Sequence, residues 1–195
     1  MMELERGAMK KLLLLGCNFG AYDIALEAKK MGLYLVVTDY LDTDNPTKKI
    51  ADEVWHYSTN DFDALEKKCR EAGISGILFG ASDFNGDCAR ELCKRLELPN
   101  LSRSDYAWRV ARDKEKFREV CIKFGAPVAE GYALTDELCR EELDRISYPV
   151  VVKPVDKSAN RGMSYCHNEG ELIEAYWHAK TTSDRGGVVC ERCLK

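Results

Sequence analysis

Between Leu12 and Pro99 an apolar run, an amphipathic helical stretch and a glycine recur in the same order, and this cycle narrows the fold more than any other feature. Leu12–Leu15 reads as a strand and leads into Gly-Cys-Asn-Phe-Gly. Ala21, Ile24, Ala25, Ala28 and Met31 then fall on one helix face, with Gly32 as the stop. Leu33–Thr38 is a second strand ending at Asp39, and Glu53–Tyr57 a short third. Phe62, Leu65, Cys69 and Ala72 mark a helix stopped by Gly73. Ile74–Phe79 is a strand, and Ala89, Leu92, Cys93 and Leu96 mark a helix ending before Pro99. Strands that alternate with helices predict an α/β, Rossmann-like parallel sheet with helices on both faces. Ligands of such sheets bind at the carboxyl ends of strands, where Gly16, Gly20, Asp39 and the loop 80–83 fall. The first loop reads G-x-x-x-G rather than G-x-G-x-x-G. Asp39 stands about where a ribose-binding acid would, so a dinucleotide site and a plain tight turn are both open, with the turn the simpler account.

The chain has 195 residues, 45% hydrophobic and 32% charged, with a net charge of -4. That suits a globular protein and argues against a nucleic-acid surface, which needs a basic excess. Met9–Cys17 (MKKLLLLGC) imitates an export signal, but its apolar core is four leucines, short of the ~7–15 residues an h-region needs. No stretch approaches the ~18 apolar residues of a membrane span. A cytoplasmic protein is expected, and the eight residues before Met9 read as a leader. Nine cysteines, an odd count, read as reduced thiols. Cys190 and Cys193 have C-x-x-C spacing without a second pair, so no structural metal is expected there.

The pattern changes near residue 100. The boundary is placed so that residues 9–105 form the first domain and 106–195 a small α+β unit. Two helical segments come first. The second is capped by Asp113, carries Phe117, Val120, Cys121 and Phe124 on its apolar face, and closes at Gly125 and Pro127. Thr135 is expected to cap a further short helix. A strand around Met163–Cys166 follows, and Asn168 with Glu171 forms a capping box for a helix bearing Leu172, Ala175, Tyr176 and Ala179. Val188–Glu191 is the last strand.

The segment Pro149–Gly162, PVVVKPVDKSANRG, raises a chemical question. A buried strand runs into a lysine, and a buried ammonium is costly without an anion. Either Lys153 reaches water at the strand end or something negative meets it. Four elements line up: Lys114 opening a helix, Lys153 ending a strand, the loop Ser158–Gly162, and Glu191–Leu194 closing the next strand.

Together these resemble the N-terminal portion of an ATP-grasp enzyme, in the style of biotin carboxylase, carbamoyl-phosphate synthase and the formate-using glycinamide ribonucleotide transformylase. Asp113-Lys114 corresponds to the helix-opening lysine and YPVVVKPVDKSANRGMS to the strand lysine and phosphate loop. GELIEAY corresponds to the following helix, and VVCERCL to the last strand and adenine hinge. In the first unit GLYLVVTDY, Ala51-Asp52 and Ala81–Phe84 resemble the pre-ATP-grasp domain. The resemblance implies ATP, with Lys114 and Lys153 on its phosphates. Ala159, Asn160, Arg161 and Gly162 would lie in the covering loop, and Glu191, Arg192 and Leu194 at the adenine edge. Lysine ammoniums are compact donors suited to phosphate oxygens. Lys157 and Ala159 stand where the family favours glycine.

The family's magnesium ligands and catalytic arginine are expected beyond Lys195. The chain is therefore expected to be a truncated portion or one polypeptide of a ligase acting on small carboxylates and amines, completed by a second polypeptide or a homo-oligomer. The alternatives are a non-catalytic nucleotide-binding or assembly module, and an NAD-type protein using Gly16, Gly20 and Asp39. Asn18, Asp83 and Asn85 are candidate substrate contacts, with helix capping or turn formation as their ordinary roles.

Overall fold

A computed structural model describes residues 9–18, 20–99 and 104–194. The leader before Met9 lies outside the described residues. The chain divides into two compact units, with the boundary between residues 102 and 103.

The first unit contains β1 (Lys11–Leu15), α1 (Ala21–Lys30), β2 (Tyr34–Thr38), α2 (Pro46–Ile50), β3 (Glu53–Trp55), α3 (Phe62–Ala72), β4 (Ile74–Phe79) and α4 (Asp83–Arg95). The four strands form a parallel sheet in the order β3-β2-β1-β4. Side-chain alternation sends the sheet's apolar residues to two separate clusters. Leu14, Leu35 and Val37 pack with Ala21, Ala25 and Ala28 of α1. Leu13, Leu15, Val36 and Ile77 pack with Leu65 and Cys69 of α3 and Cys88, Ala89, Leu92 and Cys93 of α4. Helices therefore cover both faces, as the strand–helix cycle requires.

The second unit contains α5 (Asp105–Arg112), α6 (Lys114–Lys123), β5 (Gly131–Tyr132), α7 (Arg140–Leu143), β6 (Val150–Pro154), β7 (Ser164–Cys166), α8 (Glu169–Thr182) and β8 (Val188–Arg192). Its strands form an antiparallel sheet in the order β5-β8-β6-β7. Val150, Val152, Cys166 and Cys190 pack against Leu172, Ala175 and Ala179 of α8. The Asn168 side chain accepts the Glu171 N–H at 3.0 Å, and a Glu171 carboxylate oxygen accepts the His167 N–H at 2.8 Å, which completes the capping arrangement.

Three local expectations change. Thr135 does not cap α7, whose N-cap is Cys139 without a side-chain bond. No residue of α6 is buried, and Phe117 and Phe124 of its anticipated core stripe are exposed. The helix after β4 begins at Asp83, because Ser82 accepts the Asn85 N–H as N-cap, so Asp83 belongs to the helix and not to a free loop.

Candidate functional site

The central residue is Lys153 on β6. Val150, Val152 and Pro154 are buried, and Val150 and Val152 join the cluster under α8. Strand alternation puts Val151 and Lys153 on the other face. There the Lys153 ammonium lies 2.6 Å from the Glu191 carboxylate, with side chains 25% and 19% exposed. The register sets Glu191 opposite Val151 and Val189 opposite Lys153, so the ion pair runs diagonally between neighbouring strands. Arg118 lies 3.6 Å from the other Glu191 oxygen. The anion that meets the strand-end lysine is thus the protein's own carboxylate.

Lys114 is the first residue of α6, and Asp113 is its N-cap, accepting the N–H groups of Glu115 and Lys116 at 3.1 Å. The Lys114 N–H donates to Val155 O at 3.1 Å, and its ammonium donates to Pro154 O at 2.8 Å and Lys157 O at 2.5 Å. Burial, and after it the charge of Lys153, holds the Lys114 ammonium below the ordinary lysine range. The Lys114 ammonium therefore sits on the segment that leads into the loop, near enough to Lys153 for the two charges to repel. An incoming anion would offset both the burial and the mutual repulsion.

In the loop, Ala159 and Asn160 take φ of 55° and 57°, and Gly162 takes 71°. The left-handed region costs a non-glycine residue roughly 1–2 kcal/mol, so Ala159 adopts a conformation that glycine would take more readily. Ala159, Asn160 and Arg161 are exposed. Arg161 bonds back along the loop, from its N–H to Ser158 O at 3.3 Å and from Nε to the same oxygen at 3.4 Å. Gly162 has a packing reason as well: a Cβ there would lie 2.8 Å from Pro154 Cγ and 2.9 Å from Thr182 Cγ2.

At the far end of β8 the hinge donors are already engaged. The Arg192 N–H donates to Glu130 O at 2.8 Å, and the Cys193 N–H to Pro149 O at 3.0 Å. The Arg192 guanidinium lies 3.4 Å from Glu130, and Leu194 is 74% exposed. A cavity of about 330 Å³ on this side is lined by Glu115, Arg118, Gly131–Leu134 and Val188–Glu191. Cys190 is buried, Cys193 half-buried, and both are free thiols. Among the described residues no group of three His, Cys, Asp or Glu side chains is placed to hold a metal ion.

Of the first-unit candidates, Asn85 and Asp39 are engaged within the fold. The buried Asn85 side chain donates to Leu15 O at 3.0 Å and accepts from Thr59 Oγ1 at 2.9 Å. Asp39 accepts the Cys17 N–H at 3.0 Å and the Leu41 N–H at 2.8 Å, so its carboxylate holds the turn rather than presenting itself to a ribose. Gly16 and Gly20 take φ of 75° and 83°, the left-handed turn the glycines permit. The Asn18 carbonyl accepts the Ala21 N–H, while its side-chain oxygen is buried without a hydrogen-bond partner among the described residues. Asp83 sits in the first turn of α4.

Two functional candidates were missing from the sequence reading. Arg118 was within reach, since it lies one helical turn beyond Lys114 on α6. Arg185, in the turn between α8 and β8, had no periodic signal.

Residues 113–195 match a family model described as the carbamoyl-phosphate synthase L chain, ATP binding domain. The formate-dependent phosphoribosylglycinamide formyltransferase of Prochlorococcus marinus is 25% identical over 179 residues, 91% of this chain and 45% of that protein. The C-terminal section of the carbamoyl phosphate synthase large chain of Methanocaldococcus jannaschii is 26% identical over 183 residues, 91% of this chain and 30% of that protein. Among solved structures, the biotin carboxylase domain of the Hydrogenobacter thermophilus 2-oxoglutarate carboxylase, in complex with MgADP, ADP and bicarbonate, superposes with a TM-score of 0.79. It is 23% identical, and the match covers 95% of this chain and 44% of that one. A biotin carboxylase complex with β,γ-ATP from Campylobacter jejuni gives 0.77 at 24% identity, covering 96% and 46%. The chain spans about half the length, or less, of the relatives it matches.

Proposed function

The chain belongs to the ATP-grasp superfamily, and from that premise we propose that it supplies the phosphate-binding wall of an ATP-dependent ligase that joins a small carboxylate to an amine through an acyl phosphate. The observation that carries the reading is a Lys114 ammonium held by the Pro154 and Lys157 carbonyls at the mouth of the Ser158–Gly162 loop and near enough to Lys153 to feel its charge. Lys153 neutralises phosphate charge from the sheet, and Lys114 from the helix start. The loop N–H groups cover the phosphates from the open side. Such chemistry depends on positioning and charge neutralisation, which rigid lysines on a strand and a helix start provide. The magnesium that accompanies ATP is assigned no ligand among the described residues.

Titration calorimetry with ATP tests the reading. Lys153→Met keeps the apolar stem and removes a charge-assisted contact of about 1.5–3 kcal/mol, so affinity should fall roughly ten- to a hundredfold. Equal affinity in a folded Lys153→Met protein, or a wild-type chain that prefers a nicotinamide dinucleotide to ATP, would sink it. The Lys153–Glu191 pair also suits a module that binds nucleotide without turning it over, because Lys153 has a counter-charge without a ligand. Sustained ADP release with a panel of carboxylates and amines favours the ligase over that module.

A further inference from the structure

We infer that Arg185 is a positioning residue for Lys114, an inference that rests on reading Lys114 as a phosphate ligand. The Arg185 guanidinium lies 2.8 Å from Asp113 Oδ2 through Nη2 and 3.6 Å from Asp156 Oδ2 through Nε. Its backbone N–H donates to the same Asp156 oxygen at 3.1 Å. The two carboxylate side chains are 7% and 13% exposed, whereas Arg185 is half-exposed.

Each carboxylate sits at one end of the Lys114 anchorage. Asp113 divides its oxygens: Oδ1 caps α6, and Oδ2 faces Arg185. Asp156 lies between Pro154 and Lys157, whose carbonyls hold the Lys114 ammonium. One guanidinium therefore ties the start of the lysine's helix to the segment the lysine grips. The Arg185 turn is itself pressed onto that segment. Val155 N–H donates to Gly187 O at 3.1 Å, and a Cβ on Gly187 would lie 2.6 Å from Val155 Cγ2. Arginine's planar fork can meet two carboxylates at once, which a point-charge ammonium does less well. Without it, Asp113 and Asp156 lose a shared counter-charge and repel, and the Lys114 ammonium is no longer held at one place over the loop mouth.

The test is a cycle of Arg185→Met, Lys114→Met and the double variant in the full chain. Affinities for ATP and for adenosine are measured by calorimetry, alongside thermal midpoints. Arg185→Met should weaken ATP about two- to fivefold, the range of a partly exposed charge contact, and leave adenosine unchanged. In the Lys114→Met background the same substitution should have no effect on ATP. Asp156→Asn, which keeps the size and removes the charge, should move ATP affinity in the same direction and serves if Arg185→Met fails to fold. Equal losses for ATP and adenosine, or an Arg185 effect that persists without Lys114, would overturn the inference. A wild-type chain that binds no ATP defeats the proposed function itself, while ATP binding indifferent to Arg185 and Asp156 defeats only the positioning role.

Discussion

Lys153 shows why a residue's role is set by what shares its face of the sheet. Its strand neighbours Val150 and Val152 are buried under α8, and its own ammonium is paired with Glu191 at 2.6 Å. The sequence raised the question of the missing anion but left the answer open. The pair links residues 38 positions apart and exists only through the antiparallel register of β6 and β8. Glu191 then acts on any phosphate in two ways: it competes for Lys153, and it repels the phosphate charge. Glu191→Gln keeps the shape and a hydrogen-bond acceptor but removes both effects. ATP should bind about two- to fivefold tighter, the scale of one partly exposed charge contact, with the gain shrinking at high salt as screening grows. Calorimetry at low and high sodium chloride checks this. Weaker binding at both salts would mean that the carboxylate itself holds the nucleotide.

At the scale of elements, legibility followed the kind of signal. Helix α8 was readable because Asn168, Glu171 and the spacing of Leu172, Ala175, Tyr176 and Ala179 all say the same thing. Strand β5 was not, since two residues carry no periodicity and its pairing with β8 is purely tertiary. Helix α2 was missed although Asn45 and Pro46 form an N-cap and N1 pair that could have been read. The apolar spacing on α6 implied a buried face, but amphipathicity says only that a face is available, and Phe117 and Phe124 stay exposed. The two lysines of the proposed site could be picked out because strand end, helix start and loop occur in a recognisable order, whereas Arg185 sits in a turn whose contacts are tertiary. Asn85 belongs with it as a residue whose role emerges only in the fold. It joins the end of β1, the start of α4 and Thr59. Asn85→Ala leaves a buried carbonyl and hydroxyl without their partner, at about 1–3 kcal/mol for each. Chemical denaturation should show a loss of roughly 2–6 kcal/mol on the same basis, with no change in ATP affinity. A loss under about 0.5 kcal/mol, the level of an ordinary surface substitution, would show that the side chain is not the strut it resembles.

Across the described residues, the carboxylates held below their ordinary pKa range are spread unevenly between the two units. In the first, Asp52 is held below the ordinary carboxylate range: burial pushes it up, but the bonds from Lys29 and the Leu35 N–H outweigh this. The second has four such groups. For Asp113 and Asp156 burial again pushes upward, and the bonds from the Lys116 N–H and Arg185, and from Ser183 and the Arg185 N–H, outweigh it. Asp136 is lowered by Lys180 and then Tyr176. Glu171 is lowered chiefly by the His167 N–H, with burial opposing and Asn168 adding to the shift. The sign is the same for all: a folded-state value below the unfolded one gives stability that is complete above the unfolded value and lost as pH falls through the folded one. Unfolded carboxylates titrate at about 4, so the loss runs from about pH 5 downward, and the second unit carries more of it. Acid should therefore open the antiparallel sheet before the parallel one. In amide-resolved exchange over a descending pH series, Val152 and Cys190 should lose protection at a higher pH than Leu14 and Val37. Protection that fails first in the parallel sheet, or in both sheets at one pH, would show that these carboxylates do not set the acid limit of the second unit.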